Sequence, residues 1–507
     1  MINEEKKEEE YTSSGVKKIG VLGVVMVTVV CIDSLRNVPL IAKLGWWSIP
    51  LFTLGALGFM MPTAIASAEL TSRFPQLGGI SVWVRYAFGK KPSFVIVWIQ
   101  WIYNVLWFPT IAAFAATHLC YAFAHSFGFG EYFGINLLDA VSDKGLVAIL
   151  SVTLFWIGTA INCLGVRRVS AFSGFTTISG TFLPMILIII LAGIWLLSGN
   201  VSHLAESNSV IDTAGGSILG IFSVVLFALL GLEISSAHAG QVKNPTKNYP
   251  RALWLLVLVV PLSLILTAVS MGIVIPPKEL AERSGLIDSF IVIFRVFNMP
   301  SALIPIMSLL IFIGAFGTMA AWSFGISRYL KKTAEMGFVP KWLGVSNKNG
   351  VPANAMIFQG CCVTALSGLY FLFPNVSAAY WFLGEMTVVL AIGAYVIFFI
   401  ATMKLRNEYE WKKGVHYIWG PKIASFSMYI IGIVVSIIGV AAAFYLPSQD
   451  TKMSLYWFNF WLAIGTVLAI LFPLAIIQIR KFMGYDIEKD VTEIMDDESK
   501  EEQSRMY

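Results

Sequence analysis

Twelve long apolar stretches dominate this sequence, at 18–43, 46–72, 93–124, 145–165, 172–197, 214–239, 252–276, 301–330, 354–373, 378–403, 423–446 and 455–479. A helix needs about 20 mostly apolar residues to cross the hydrocarbon layer of a bilayer. Of the 507 residues, 57% are hydrophobic and 13% charged, against about 25% charged in an average soluble domain. One core cannot hide such a surplus, so it must face lipid. The expected fold is an all-α membrane protein with about twelve transmembrane helices. The N-terminal residues 1–17 are a polar tail without the features of a cleavable signal.

Lysine and arginine set the expected orientation. With a cytoplasmic N-terminus, the inner loops and helix ends hold 23 of them, among them Lys90, Lys91, Arg167, Arg168, Lys331 and Lys332. The outer loops hold five: Lys144, Lys278, Arg283, Arg295 and Lys452. The positive-inside rule then places both termini in the cytoplasm, which an even number of spans satisfies. The tail at 483–507 is strongly acidic and reads as cytoplasmic and loosely structured. The five cysteines show no CxxC spacing, so neither a zinc site nor a disulfide framework is expected. No phosphate-binding GxxxxGK[ST], HExxH or GxSxG motif occurs, and the inner loops are too short for a catalytic domain, so no enzyme is expected.

Transporters commonly place substrate near the bilayer midplane, where two helices are interrupted. Interrupted backbone is tolerated at that depth only where it lines a cavity. Two segments carry polar residues at membrane depth. In the first, CIDSLRNVP presents Asp33, Ser34, Arg36 and Asn37. In the sixth, GLEISSAHAG presents Gly231, Glu233, Ser235, Ser236 and His238. Each places an acid close before a serine. Charges inside a membrane face a cavity or a partner. Asp33 and Arg36, three residues apart, can neutralise one another on a helix. Alternatively, Arg36 holds a substrate carboxylate bidentately, with Asp33 or backbone carbonyls after Gly231 facing an ammonium group.

Three motifs then occur in order. AELTSRFPQLGGISVWVRYAFG follows the second segment, GLEISSAHAGQVKNPTKNYPRAL the sixth, and GISRYLKKTAEMGFVPKWLGVSNKNGVP the eighth. With them, the chain from about 18 to 403 resembles the amino acid-polyamine-organocation superfamily, and within it the bacterial glutamate/GABA antiporters. The resemblance implies a LeuT-type fold with inverted five-helix repeats at 18–197 and 214–403, two further helices at 423–482, and broken first and sixth helices. It also implies exchange of an external amino acid for an internal one. Superfamily members often carry Gly-Ser-Gly in the first helix, where this chain has CIDSLRN, so the carboxylate cradle must be built differently.

Other residues follow from these readings. Glu69, at the end of the second segment, is expected to cap or to pair with a loop arginine. Glu233, His238 and Glu385 are the candidates for proton or pH linkage, with Glu385 near the outer vestibule. Trp322 is a further substrate-binding candidate. Trp98, Trp101, Tyr103, Trp107, Tyr380, Trp381 and Phe382 are expected mostly in interfacial belts. Thr318 and Ser323 form no adjacent hydroxyl pair for sodium. The expected function is amino-acid antiport in the bacterial inner membrane. The alternatives are proton- or sodium-coupled symport, or a non-transporting amino-acid sensor. Expected partners are an amino acid, its exchange partner and the bilayer, with no nucleic acid, cofactor or metal; monomer and homodimer both remain open.

Overall fold

A computed structural model describes residues 20–32, 35–74, 79–126, 143–165, 176, 178–206, 217–277, 280, 285–409, 411, 416–445 and 454–482. Among them there is no β-strand. Among the described residues, eleven helices are long and apolar enough to cross a membrane: Gly45–Arg73, Lys90–Ala124, Lys144–Cys163, Ile178–Leu197, Ile218–Ser236, Pro245–Val274, Leu303–Glu335, Ala353–Leu372, Val376–Glu408, Lys422–Tyr445 and Leu455–Phe482. They match the second to twelfth apolar segments and are called the second to twelfth spans below.

The first segment is built differently. Its first α-helix is described over Val21–Ile32, 12 residues. Beyond residues 33 and 34, which lie outside the described set, a 3-10 turn Leu35–Asn37 leads into a short helix Val38–Ala42. Pro39 stands in the first turn of that helix. It has no N–H to continue a helix from the preceding turn, but it fits a helix start.

The third, eighth and tenth spans form the inner frame. The helix containing the third runs 37 residues, and the other two run 33 each. At about 1.5 Å per residue they exceed the roughly 30 Å hydrocarbon layer and reach into both interfaces. Pro109 lies inside the third helix, and its carbonyl accepts the Tyr370 hydroxyl at 3.1 Å. Small residues let the fifth span approach the eighth: a Cβ on Gly180 would lie 2.3 Å from the Gly314 Cα. The fifth span relaxes into a π-helical turn there, Ile178–Phe182. A second π turn, Ala56–Met60 in the second span, presents Phe59 to the ring of Tyr395, with centroids 4.9 Å apart.

Several aromatic residues expected at the interfaces are internal instead. Trp98, Trp101, Tyr380, Trp381 and Phe382 are all buried. The rings fill space between long helices, as Trp98 does against Phe472 and Trp101 against Phe358. The twelfth span leaves its apolar surface open, with Tyr456, Trp457, Leu468 and Phe482 exposed, as a lipid-facing helix does.

Glu69 ties the frame together at one end. Its carboxylate is fully buried and accepts the Tyr429 hydroxyl at 2.6 Å, the Trp419 backbone N–H at 3.0 Å and the Ser425 hydroxyl at 3.2 Å. Arg406 Nε lies 3.3 Å from Glu69 Oε2, and the guanidinium sits over the Trp411 ring. The arginine partner thus comes from the last turn of the tenth helix and not from a loop. Beside it, the Tyr417 backbone N–H donates to Ser72, and Trp254 donates to the Tyr417 hydroxyl. The segment between the tenth and eleventh spans thus fastens the second and seventh spans, which flank the second half of the sixth.

Removing one member of a buried ion pair leaves an uncompensated charge and costs about 3–5 kcal/mol. Glu69→Leu should therefore lower the thermal unfolding midpoint of the detergent-solubilised protein sharply. Tyr429→Phe, which loses one hydrogen bond of about 1 kcal/mol, should lower it far less. An unchanged midpoint in Glu69→Leu would mean that the cluster does not stabilise the fold.

Candidate functional site

The sixth span breaks in its middle. Its α-helix ends at Ala228 and the chain resumes as a 3-10 helix, Leu232–Gln241. Between them Gly231 takes φ +105°, a left-handed conformation that glycine alone adopts without steric cost. The amide freed by this turn finds a side-chain partner: Gly231 N–H donates to the Tyr395 hydroxyl at 3.0 Å. That hydroxyl in turn donates to Glu233 Oε2 at 2.5 Å. Glu233 is buried, 2% exposed. One phenol from the tenth span thereby fixes both the broken backbone and the carboxylate beside it.

Opposite this turn stands Arg36, on the 3-10 turn that follows the first helix. It is buried, and its Nη1 donates to the Thr110 hydroxyl of the third span at 2.8 Å. The guanidinium lies 4.8 Å from the centroid of the Tyr380 ring in the tenth span, within cation–π range. Glu385, also buried, interacts electrostatically with Arg36 and accepts the Ser223 hydroxyl of the sixth span at 3.3 Å.

Arg36 and Glu233 both line a cavity of about 90 Å³, several times the about 10–15 Å³ that one water needs on this measure. Asn37, Ile32, Leu230 and Gly231 complete the walls from the two interrupted helices. The third span contributes Tyr103, Asn104 and Trp107, the eighth Thr318 and Trp322, and the tenth Thr387 and Tyr395. Trp107 and Trp322 meet edge to face, with centroids 6.1 Å apart. Five spans therefore converge on one polar-ended, largely apolar chamber.

The structure brings together Arg36, Asn37, Gly231, Glu233 and Trp322 from the residues the sequence singled out. Ser235 and Ser236 do not line the cavity. Ser235 donates to the Leu232 carbonyl and bonds to the Tyr249 hydroxyl at 3.0 Å, so it faces the seventh span, because the 3-10 helix turns it away from the break. Glu385 stands behind Arg36 and is not a lining residue. Asp33 and Ser34 lie outside the described residues, as does the side chain of His238. Tyr103 and Trp107 face the chamber and not the interfaces. Asn104, Thr387 and Tyr395 gave no sequence signal beyond being polar groups on apolar helices.

Thr318 reaches the cavity, whereas the Ser323 hydroxyl accepts Gln359 Nε2 at 3.0 Å. Among the described residues, no group of three or more His, Cys, Asp or Glu could hold a metal ion.

The family model for amino acid permeases matches residues 19–472. An uncharacterized transporter of Legionella pneumophila is 34% identical over 458 residues, covering 90% of this chain and 96% of the relative. A glutamate/gamma-aminobutyrate antiporter of Lactococcus lactis is 26% identical over 479 residues, 93% and 92% of the two chains. A probable agmatine/putrescine antiporter of the same species is 25% identical over 368 residues, 71% and 73% of the two chains.

The geometry is testable without knowing the ligand. In a cysteine-free background, Thr318→Cys and Thr387→Cys should react with a small water-soluble thiol reagent at least about tenfold faster than Ser235→Cys, because reactivity follows exposure. Equal rates at all three positions would contradict the assignment of cavity and packed faces.

Proposed function

We propose that this chain, which belongs to the amino acid permease family, exchanges amino acids across the bacterial inner membrane by alternating access around the cavity between its first and sixth spans. Family membership makes it a multi-pass membrane transporter and not an enzyme. The observation that carries the finer reading is the meeting of the two interrupted segments at one chamber, with a buried cation on one and a buried acid on the other. Irregular backbone at membrane depth is expected where it lines a substrate site.

In this reading Arg36 receives the substrate carboxylate. Its planar fork suits bidentate pairing, and Thr110 and Tyr380 hold it in place. Glu233 faces the ammonium group or carries a proton, with Tyr395 orienting its carboxylate. Trp322 and Trp107 cover the substrate from the eighth and third spans. Glu385 supports Arg36 from outside the chamber lining, and both termini lie in the cytoplasm, as the excess of Lys and Arg in alternate loops favours. The repeats at 18–197 and 214–403 move against one another, each contributing one broken helix.

Two considerations favour exchange over one-way movement. Relatives at 25–26% identity are named antiporters. A bound zwitterion would also set an opposite charge against each of Arg36 and Glu233 without adding net charge, so the loaded carrier closes at no extra electrostatic cost. Return of the protein is then fastest with substrate aboard.

Reconstituted protein should take up a labelled amino acid only into vesicles preloaded with an exchangeable partner. Arg36→Ala should abolish this exchange while keeping a wild-type size-exclusion profile, and wild-type exchange by that variant would return Arg36 to a structural role. Glu233→Gln, which keeps a hydrogen-bonding partner for Tyr395 but loses the charge, should slow exchange at least about tenfold, since a charged hydrogen bond is worth roughly 1.5–3 kcal/mol. Uptake into empty vesicles driven by a proton or sodium gradient would make the protein a symporter instead.

A further inference from the structure

We infer that the site selects neutral amino acids, zwitterions with one carboxylate, one ammonium and an uncharged, largely apolar body, against both dicarboxylates and diamines. The inference rests on the transport reading above and concerns which substrates the same cavity accepts.

Charge balance carries the argument. Among the described residues lining the cavity, Arg36 is the one fixed cation and Glu233 the one carboxylate. They sit on different interrupted segments, one from the first and one from the sixth. The remaining titratable lining groups are the phenols of Tyr103 and Tyr395. Behind Arg36, a second buried carboxylate, Glu385, interacts with the guanidinium.

A second carboxylate on the substrate would meet Glu233 with no further cation among the described lining residues to receive it. A diamine would bring two cations against one carboxylate among the described lining residues, with Arg36 in the same chamber. In either case net charge enters a desolvated chamber without a partner, which is expensive. A zwitterion adds no net charge and can satisfy both poles at once.

The wall between the poles agrees with this. Ile32, Phe227, Leu230 and Ile234 line it from the two interrupted segments, and the faces of Trp107 and Trp322 from the frame. These are surfaces that an aliphatic or aromatic side chain can replace water against. The uncharged hydrogen-bonding groups, Asn37, Asn104, Thr318 and Thr387, supply dipoles without a further full charge.

The test pairs binding with exchange. Thermal stabilisation of the purified, full-length protein would be measured with leucine, phenylalanine, glutamate and putrescine at one concentration and pH 7, then counterflow in proteoliposomes with the same four. Leucine or phenylalanine should raise the melting point and exchange at least about tenfold faster than glutamate or putrescine, a ratio within the 10–200-fold range of pocket selectivity. Arg36→Met should lose leucine exchange and gain stabilisation by putrescine, since the repelling cation is gone while Glu233 stays.

Preferred glutamate or putrescine exchange by the wild type would overturn the charge-balance inference and leave the transport reading standing. Stabilisation by leucine or phenylalanine without any exchange would support the selectivity and sink the transport reading. No response to any of the four would count against both.

Discussion

Lipid offers no hydrogen bonds, so every backbone amide at membrane depth needs a partner within the protein. The organisation of this site depends on that constraint. Breaking the sixth span at Gly231 frees an amide, and the Tyr395 hydroxyl takes it. The same hydroxyl then donates to Glu233, so the repair of the backbone also aims the carboxylate. Tyr395 is itself held by Phe59 at the π turn of the second span. Losing the phenol would strip a partner from both the turn and the acid, which makes Tyr395 the positioning residue for the chamber.

Arg36 faces the same constraint from the other side. A guanidinium cannot be buried without compensation, and its compensation comes from two spans: Thr110 on the third, and Tyr380 and Glu385 on the tenth. Glu385 is joined in turn to Ser223 on the sixth. The charge on the first segment is thus wired to the elements that would have to move past it during transport. Away from the chamber, Glu69 and Arg406 do comparable work without a cavity, joining the second, tenth and eleventh spans.

Much of this was legible in the sequence. Hydropathy alone marks the spans, because lipid imposes length and apolarity on each. Arg36 and Glu233 stand out because charges within apolar stretches are rare and costly. The pairing of Glu69 with an arginine was also expected, though from a loop and not from the end of the tenth helix. Neutral polar residues were harder to read: Asn104, Thr387 and Tyr395 leave a helix as apolar as before, and only the packing shows that they face the chamber. Ser235 failed in the opposite direction, since nearness to the break in sequence does not set the direction of a side chain on a 3-10 helix. The aromatic residues of the third and tenth spans misled because a large ring suits both an interface and a close-packed interior, and these helices are internal. Asp33 and Ser34 lie outside the described residues, so their pairing with Arg36 stays an expectation from spacing.

The central claim is that one chamber between the two interrupted segments holds an amino acid between Arg36 and Glu233. A structure of the purified protein with an exchanged amino acid bound tests it most directly. The account predicts the substrate carboxylate within hydrogen-bonding distance of the Arg36 guanidinium and the ammonium turned toward Glu233 and the freed turn at Gly231. A ligand bound outside this chamber, or one with its carboxylate turned away from Arg36, would contradict it.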